Sequence, residues 1–147
     1  MTPQDCVEAL SEFCASVDWV PLPTDSLRVG RYCRAISGLV TGEPYEFKWL
    51  RSEEMVGRIK RLTSRIRFDV VHADTLGLSP YVPLISHAGT VLNHHDIESA
   101  LVQRRALHEC NVVRRAFWSQ EAANLLAAER RWCPMFDANV VVSEDEG

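Results

Sequence analysis

The densest run of side chains able to do chemistry is His94-His95-Asp96-Ile97-Glu98-Ser99. Two imidazoles and two carboxylates fall within five residues there. A neutral imidazole donates from one nitrogen and accepts at the other, so it can engage a hydroxyl or a phosphate near neutral pH, and a carboxylate can orient it. The run follows Thr90-Val91-Leu92-Asn93, a β-branched stretch, and so falls where a strand hands over to a helix. At that place Asp96 has a second use as helix cap, and Glu98 as the acidic residue of a first turn. Adjacent histidines on extended chain point to opposite faces, which argues against a shared metal ion. No metal site and no cofactor are expected.

A second cluster, His72-Ala73-Asp74-Thr75, ends another apolar run, and a third, Ser143-Glu144-Asp145, ends the last. His72 reads as a satisfied core histidine. Asp74 and Thr75 suit sugar hydroxyls, or else the cap of a helix starting at Leu76. His87 and His108 stand apart from these clusters and read as surface residues. Trp118 and Trp132 read as core anchors of a long helical segment.

The elements behind these loops set the fold. Phe68-Asp69-Val70-Val71-His72, Thr90-Val91-Leu92-Asn93-His94 and Ala138-Asn139-Val140-Val141-Val142 are nearly continuous apolar runs, the pattern of strands buried on both faces. Leu76–Ser86 separates the first two and is long enough for a short helix. Some 35 residues rich in Ala, Leu, Arg and Glu separate the last two and read as one long or broken helix. Strands alternating with helical segments predict right-handed βαβ units in a parallel sheet. In such sheets ligands bind at the carboxyl ends of the strands, where all three clusters lie. Upstream, residues 4–16 carry Val7, Leu10, Phe13 and Cys14 at helical spacing, and Trp19-Val20-Pro21-Leu22-Pro23 is a short extended run. Residues 25–40 read as a second helix, capped by Asp25 or Ser26 and ended by Gly42. Tyr45–Leu50 is short and aromatic, and Ser52-Glu53-Glu54 opens a helix running to about Arg65.

Composition narrows the function classes. The chain has 147 residues, enough for one domain with a core, and a net charge of −4, which argues against nucleic acid as the main partner. Its five cysteines are odd in number and include no CxxC pair, so free thiols in a reducing compartment fit better than a disulfide framework. No signal peptide or membrane-spanning run is visible, and a cytoplasmic location is expected. No GxGxxG or P-loop is present.

Phe68-Asp69-Val70-Val71-His72-Ala73-Asp74 resembles the "fDvVHah" strand and loop of family 4 glycosyltransferases. Val91-Leu92-Asn93-His94-His95-Asp96-Ile97-Glu98-Ser99 resembles their "vltxHdvEs" segment. Glu129-Arg130-Arg131-Trp132 through Phe136-Asp137-Ala138-Asn139-Val140-Val141-Val142-Ser143-Glu144 resembles "E…fDavvaVSe", and Thr41-Gly42-Glu43-Pro44-Tyr45 resembles "tGxPy". The segments occur in the family's order and span nearly the whole chain.

The resemblance implies an α/β, Rossmann-like three-layer domain with a parallel sheet, the incomplete N-terminal half of a GT-B fold. Residues 1–147 would form the acceptor-binding domain of an enzyme in cell-surface polysaccharide biosynthesis. That enzyme would transfer a sugar, with retention, from a nucleotide-sugar donor to a glycan or lipid-linked acceptor. His95 then matches the histidine that reaches toward the transferred sugar, with Asp74, Thr75, Asp96 and Glu98 on the acceptor side. The family's Gly-rich opening strand and donor-binding domain have no counterpart in the sequence. The chain is therefore expected to be a fragment, inactive alone. Its full-length enzyme would associate peripherally with membranes, and its exposed apolar surface would favour a homo-oligomer. Two other readings stand beside this one: a non-catalytic α/β binding or interaction module, and a flavodoxin-like nucleotide-binding domain.

Overall fold

The computed structural model describes residues 3–22, 38 and 41–142. Its helices are α1 (Pro3–Ser11), α2 (Tyr45–Leu50), α3 (Glu53–Thr63), α4 (Glu98–His108) and α5 (Val112–Trp132). Its strands are β1 (Val70–Ala73), β2 (Gly89–His94) and β3 (Ala138–Val141). The sheet order is β1-β2-β3 and both pairings are parallel. Val71 lies beside Thr90 and Ala73 beside Leu92, while Leu92 lies beside Asn139 and His94 beside Val141. The fold is therefore α/β with a three-stranded parallel sheet, in the element order the apolar runs predict.

Local chemistry accounts for the breaks between elements. The Ser52 hydroxyl accepts from the Met55 N–H at 3.3 Å and starts α3. The 35-residue helical stretch is broken in two, because Glu109 takes an extended conformation and the Asn111 side chain caps α5 by accepting from Arg114 N at 3.1 Å. Leu76–Leu84 is a 3₁₀ helix rather than an α-helix. Pro80 and Pro83 lie within it and lack the amide hydrogens that an α-helical ladder would use. Tyr81 from this segment receives the Ser52 N–H at 2.7 Å and donates to Leu50 O at 2.6 Å, tying the end of α2 to the start of α3. Gly42 adopts φ +68°, a left-handed conformation suited to a helix end, and its N–H bonds Gly38 O at 2.9 Å.

The core sits on one side of the sheet. Ala73 and Leu92 pack there with Phe47 of α2, Leu76, Leu125 and Ala128 of α5, and Phe136. Side chains alternate along a strand, so Val70, His72, Val91, Asn93, Ala138 and Val140 share the opposite face. On that face Val70 is 59% and Val140 47% exposed. The continuous apolar runs predict burial on both faces; among the described residues Val70 and Val140, on the two edge strands, are exposed on this second face, and Val91 between them is half-buried. His72 belongs to that face and is exposed, not a core histidine.

Other expectations need adjusting. α1 ends at Ser11 rather than residue 16, and of the expected apolar stripe Val7 is half-buried whereas Leu10 and Phe13 are exposed, Phe13 at 85%. Residues 16–22 form no strand. Trp132 packs against the core and Phe47, with ring centroids 6.4 Å apart, whereas Trp118 serves the α4–α5 contact, with the Arg105 guanidinium 3.9 Å above its ring. The expected helix over 25–40, except Gly38, and the Ser143-Glu144-Asp145 cluster lie outside the described residues. Among the described residues no helix is long and apolar enough to cross a membrane.

Candidate functional site

Parallel pairing of β1 with β2 brings the loops at their carboxyl ends together, and two small clusters result. The outer one faces solvent. His95 Nε2 lies 3.2 Å from Asp74 Oδ2, and Asp74 Oδ1 accepts from Asn93 Nδ2 at 2.8 Å. The His95 and Asp74 side chains are 65% and 62% exposed, so the pair is open to a ligand. Hydrogen bonds from Asn93 and then His95 hold the Asp74 carboxyl below the usual carboxylate range. Asp74 is thus an anion that fixes the orientation of the His95 ring.

The inner cluster is shielded. The Thr75 hydroxyl lies 2.7 Å from Glu46 Oε1 and 3.0 Å from Glu98 Oε1. One hydroxyl hydrogen cannot serve both carboxyl groups at once, so two ionised carboxylates would leave an unrelieved repulsion. Burial, then the charge of Glu46, push the Glu98 carboxyl up to about 8, against the opposing pull of Thr75 and the Leu76 N–H. Burial and the neighbouring carboxyl of Glu46 thus favour the protonated form of Glu98. Glu98 Oε2 is buried with no hydrogen-bond partner among the described residues.

Glu98 lies in the first turn of α4 as its position predicts, but Asp96 does not cap that helix. Ile97, not Asp96, is the N-cap of α4, and no side chain of the cap residue bonds the helix. The function falls to Glu129 of α5, which accepts from Ser99 N at 2.9 Å and from Ser99 Oγ at 2.5 Å. Thr75 precedes Leu76 but does not cap with its hydroxyl. Asp96 is half-buried. Sequence reasoning missed Glu46 and Asn93. Asn93 carried a signal, its place one residue before the histidines, whereas Glu46 comes from a distant helix and carried none.

His94 points away from the rim and is buried. Its Nε2 lies 3.2 Å from Asn139 Oδ1 and 3.8 Å from Cys133 Sγ. Asn139 Nδ2 donates to Cys133 O at 3.0 Å, which turns its oxygen toward the ring and makes His94 Nε2 the donor. A histidine arranged that way cannot take a proton from Cys133, and burial followed by the Glu129 charge raises the thiol further. The pair is structural rather than a nucleophile and base. Among the described residues no group of three or more His, Cys, Asp or Glu is placed to hold a metal ion.

Compared with known proteins, the chain matches no family model, no curated protein and no solved structure.

Proposed function

We propose that the chain is the acceptor-side domain of a retaining glycosyltransferase resembling family 4, with the Rossmann-like half-fold of a GT-B enzyme. The observation that carries this reading is the His95–Asp74 pair. It stands exposed at the carboxyl edge of two adjacent parallel strands, on the two segments whose sequences resemble the family's. A sugar hydroxyl docked on the exposed side of the His95 ring would meet a nitrogen whose orientation Asp74 sets. Asp96 adds an acceptor beside it. Thr75 and Glu98 are occupied with each other and with Glu46, so they support the rim from below. This narrows the acceptor-binding role that the resemblance implies for Asp74, Thr75, Asp96 and Glu98.

In this reading the donor diphosphate is held by another domain, because electrostatic stabilisation of a leaving diphosphate needs donors that this rim lacks. Calorimetric titration of residues 1–147 with a uridine diphosphate sugar tests it. Affinity in the range of ~1 μM that H95A abolishes would overturn the assignment, and no binding that depends on His95 is the expected result.

A second reading, a non-catalytic α/β interaction module, is favoured by the exposed Val70 and Val140 on the edge strands of one sheet face. The readings diverge on His95. Its loss lowers turnover of the longer enzyme in the first, by about 100-fold, and does nothing in the second.

A further inference from the structure

The segment 51–67 carries six basic residues against two acidic ones, in a chain whose net charge is −4. Three of the six lie together: Arg58 and Arg61 at i, i+3 on α3, and Arg65 in the turn that follows the helix. The apolar side of α3, around Val56 and Ile59, lies on the opposite flank and is half-buried. With Leu62 and Asp18 these arginines line an open depression of about 190 Å³.

One carboxylate already lies in this cavity. Asp18 Oδ1 accepts from Arg58 at 2.6 Å, and Glu54 takes the rest of the Arg58 fork at 2.9 and 3.2 Å. Among the described residues no ion pair engages Arg61 or Arg65. The cavity thus holds two guanidiniums without a carboxylate and a third whose anionic partner, Asp18, is 63% exposed and sits on an irregular segment.

We propose that the Arg58–Arg61–Arg65 cavity, formed by α3 and the turn after it, is a binding site for a phosphate group. Guanidinium forks match the oxygens of a phosphate two at a time, which a flexible ammonium does not. Like-charged side chains held close together are destabilising unless an anion relieves them, so a bound phosphate also lowers the repulsion that the free protein carries. The group can come from a soluble phosphoester or from a lipid headgroup, and half-exposed Leu62 and Ile66 lie beside the same arginines.

The experiment uses the whole chain with two probes. Inorganic pyrophosphate is titrated by calorimetry, and vesicles of phosphatidylcholine with and without phosphatidylglycerol are sedimented with the protein. Saturable pyrophosphate binding identifies a soluble phosphoester, and retention on phosphatidylglycerol vesicles alone identifies the headgroup. Either supports the site. The double variant R61Q/R65Q should weaken binding at least ~10-fold. D18N, which removes the competing carboxylate, should tighten it about threefold. R114Q/R115Q deletes the same charge from exposed positions on α5 and should leave binding unchanged. Neither probe binding, equal loss in R114Q/R115Q, or no gain in D18N would each overturn the proposal.

Discussion

Glu129 caps a helix to which it does not belong. It projects from the last turns of α5 and receives both the N–H and the hydroxyl of Ser99, the second residue of α4. Glu121, further up the same helix, does the same for α2, accepting from Tyr45 N at 2.7 Å. α5 therefore supplies two carboxylates to the positive ends of two other helices, and one of those helices carries Glu98 to the rim.

Glu129→Ala should accordingly destabilise the protein by about 2 kcal/mol, because buried Ser99 would lose acceptors for two donors. Urea unfolding of the variant checks this. A loss below about 0.5 kcal/mol would mean that the α4 terminus finds water or another partner easily.

The pH dependence of stability follows from Glu98. Its folded-state value, about 8, lies above the ordinary 4.5. Between those values the folded chain binds more protons than the unfolded one, so stability falls as pH rises from about 4.5 through about 8, and levels off above. The slope from this one group is at most about 1.4 kcal/mol per pH unit. Burial raises the Glu121 carboxyl too, and so adds in the same direction. Glu98→Gln keeps the shape, removes the titration and should flatten the profile. Chemical denaturation at pH 5, 7 and 9 reads it, and an E98Q profile as steep as that of wild type would refute the account.

Gly77 makes that carboxyl pair sterically possible. A Cβ at residue 77 would stand 2.8 Å from Glu46 Oε1 and 2.6 Å from Leu50 Cδ1. Gly77→Ala should push the Glu46 carboxyl off Thr75, costing about 1–3 kcal/mol. It should also shift the pH-sensitive range downward, since Glu46 is the second largest cause of the raised Glu98 value. A drop in stability with an unmoved pH range would separate packing from electrostatics and reject the link.

Strand positions, parallel pairing and the meeting of the 72–75 and 94–99 loops were legible in the sequence, because β-branched runs and their order encode them directly. What covers each strand was not. Val70 and Val140 have the composition of buried residues, yet nothing in a local pattern reveals whether another layer exists to bury them. The partners of the acids were hidden for a related reason. Local rules assign Asp96 and Glu98 to the start of α4, and a contact across 30 residues, Glu129 to Ser99, displaces the local cap. Glu98 then becomes a half-buried acid that favours its protonated form, a state that depends on Glu46 from α2.

The exposed valines of the edge strands make a prediction of their own. An apolar face with exposed Val70 and Val140 favours association between copies. V70K/V140K should shift sedimentation toward monomer with a stability change under about 1 kcal/mol, since neither side chain is buried. Equal sedimentation of variant and wild type would show that this face drives no self-association.

His95 decides the functional proposal. Its side chain is 65% exposed, and its one defined contact is Asp74. Removing it should barely affect folding, because an exposed pair of this kind contributes little to stability. A contribution to transfer would be larger. An imidazole that hydrogen-bonds a sugar hydroxyl or moves a proton in the transition state supplies roughly 10²-fold or more. In a longer glycosyltransferase carrying this same segment, His95→Ala should therefore reduce turnover by about 100-fold and leave the thermal midpoint within about 2 °C. Asp74→Asn should fall between the two, since it keeps a hydrogen bond to the ring but loses the charge that orients it. Rate and melting temperature measured on the same preparations distinguish the outcomes. Unchanged turnover in H95A would remove the rim from catalysis and favour the interaction-module reading. A large loss of stability with it would make His95 a structural residue.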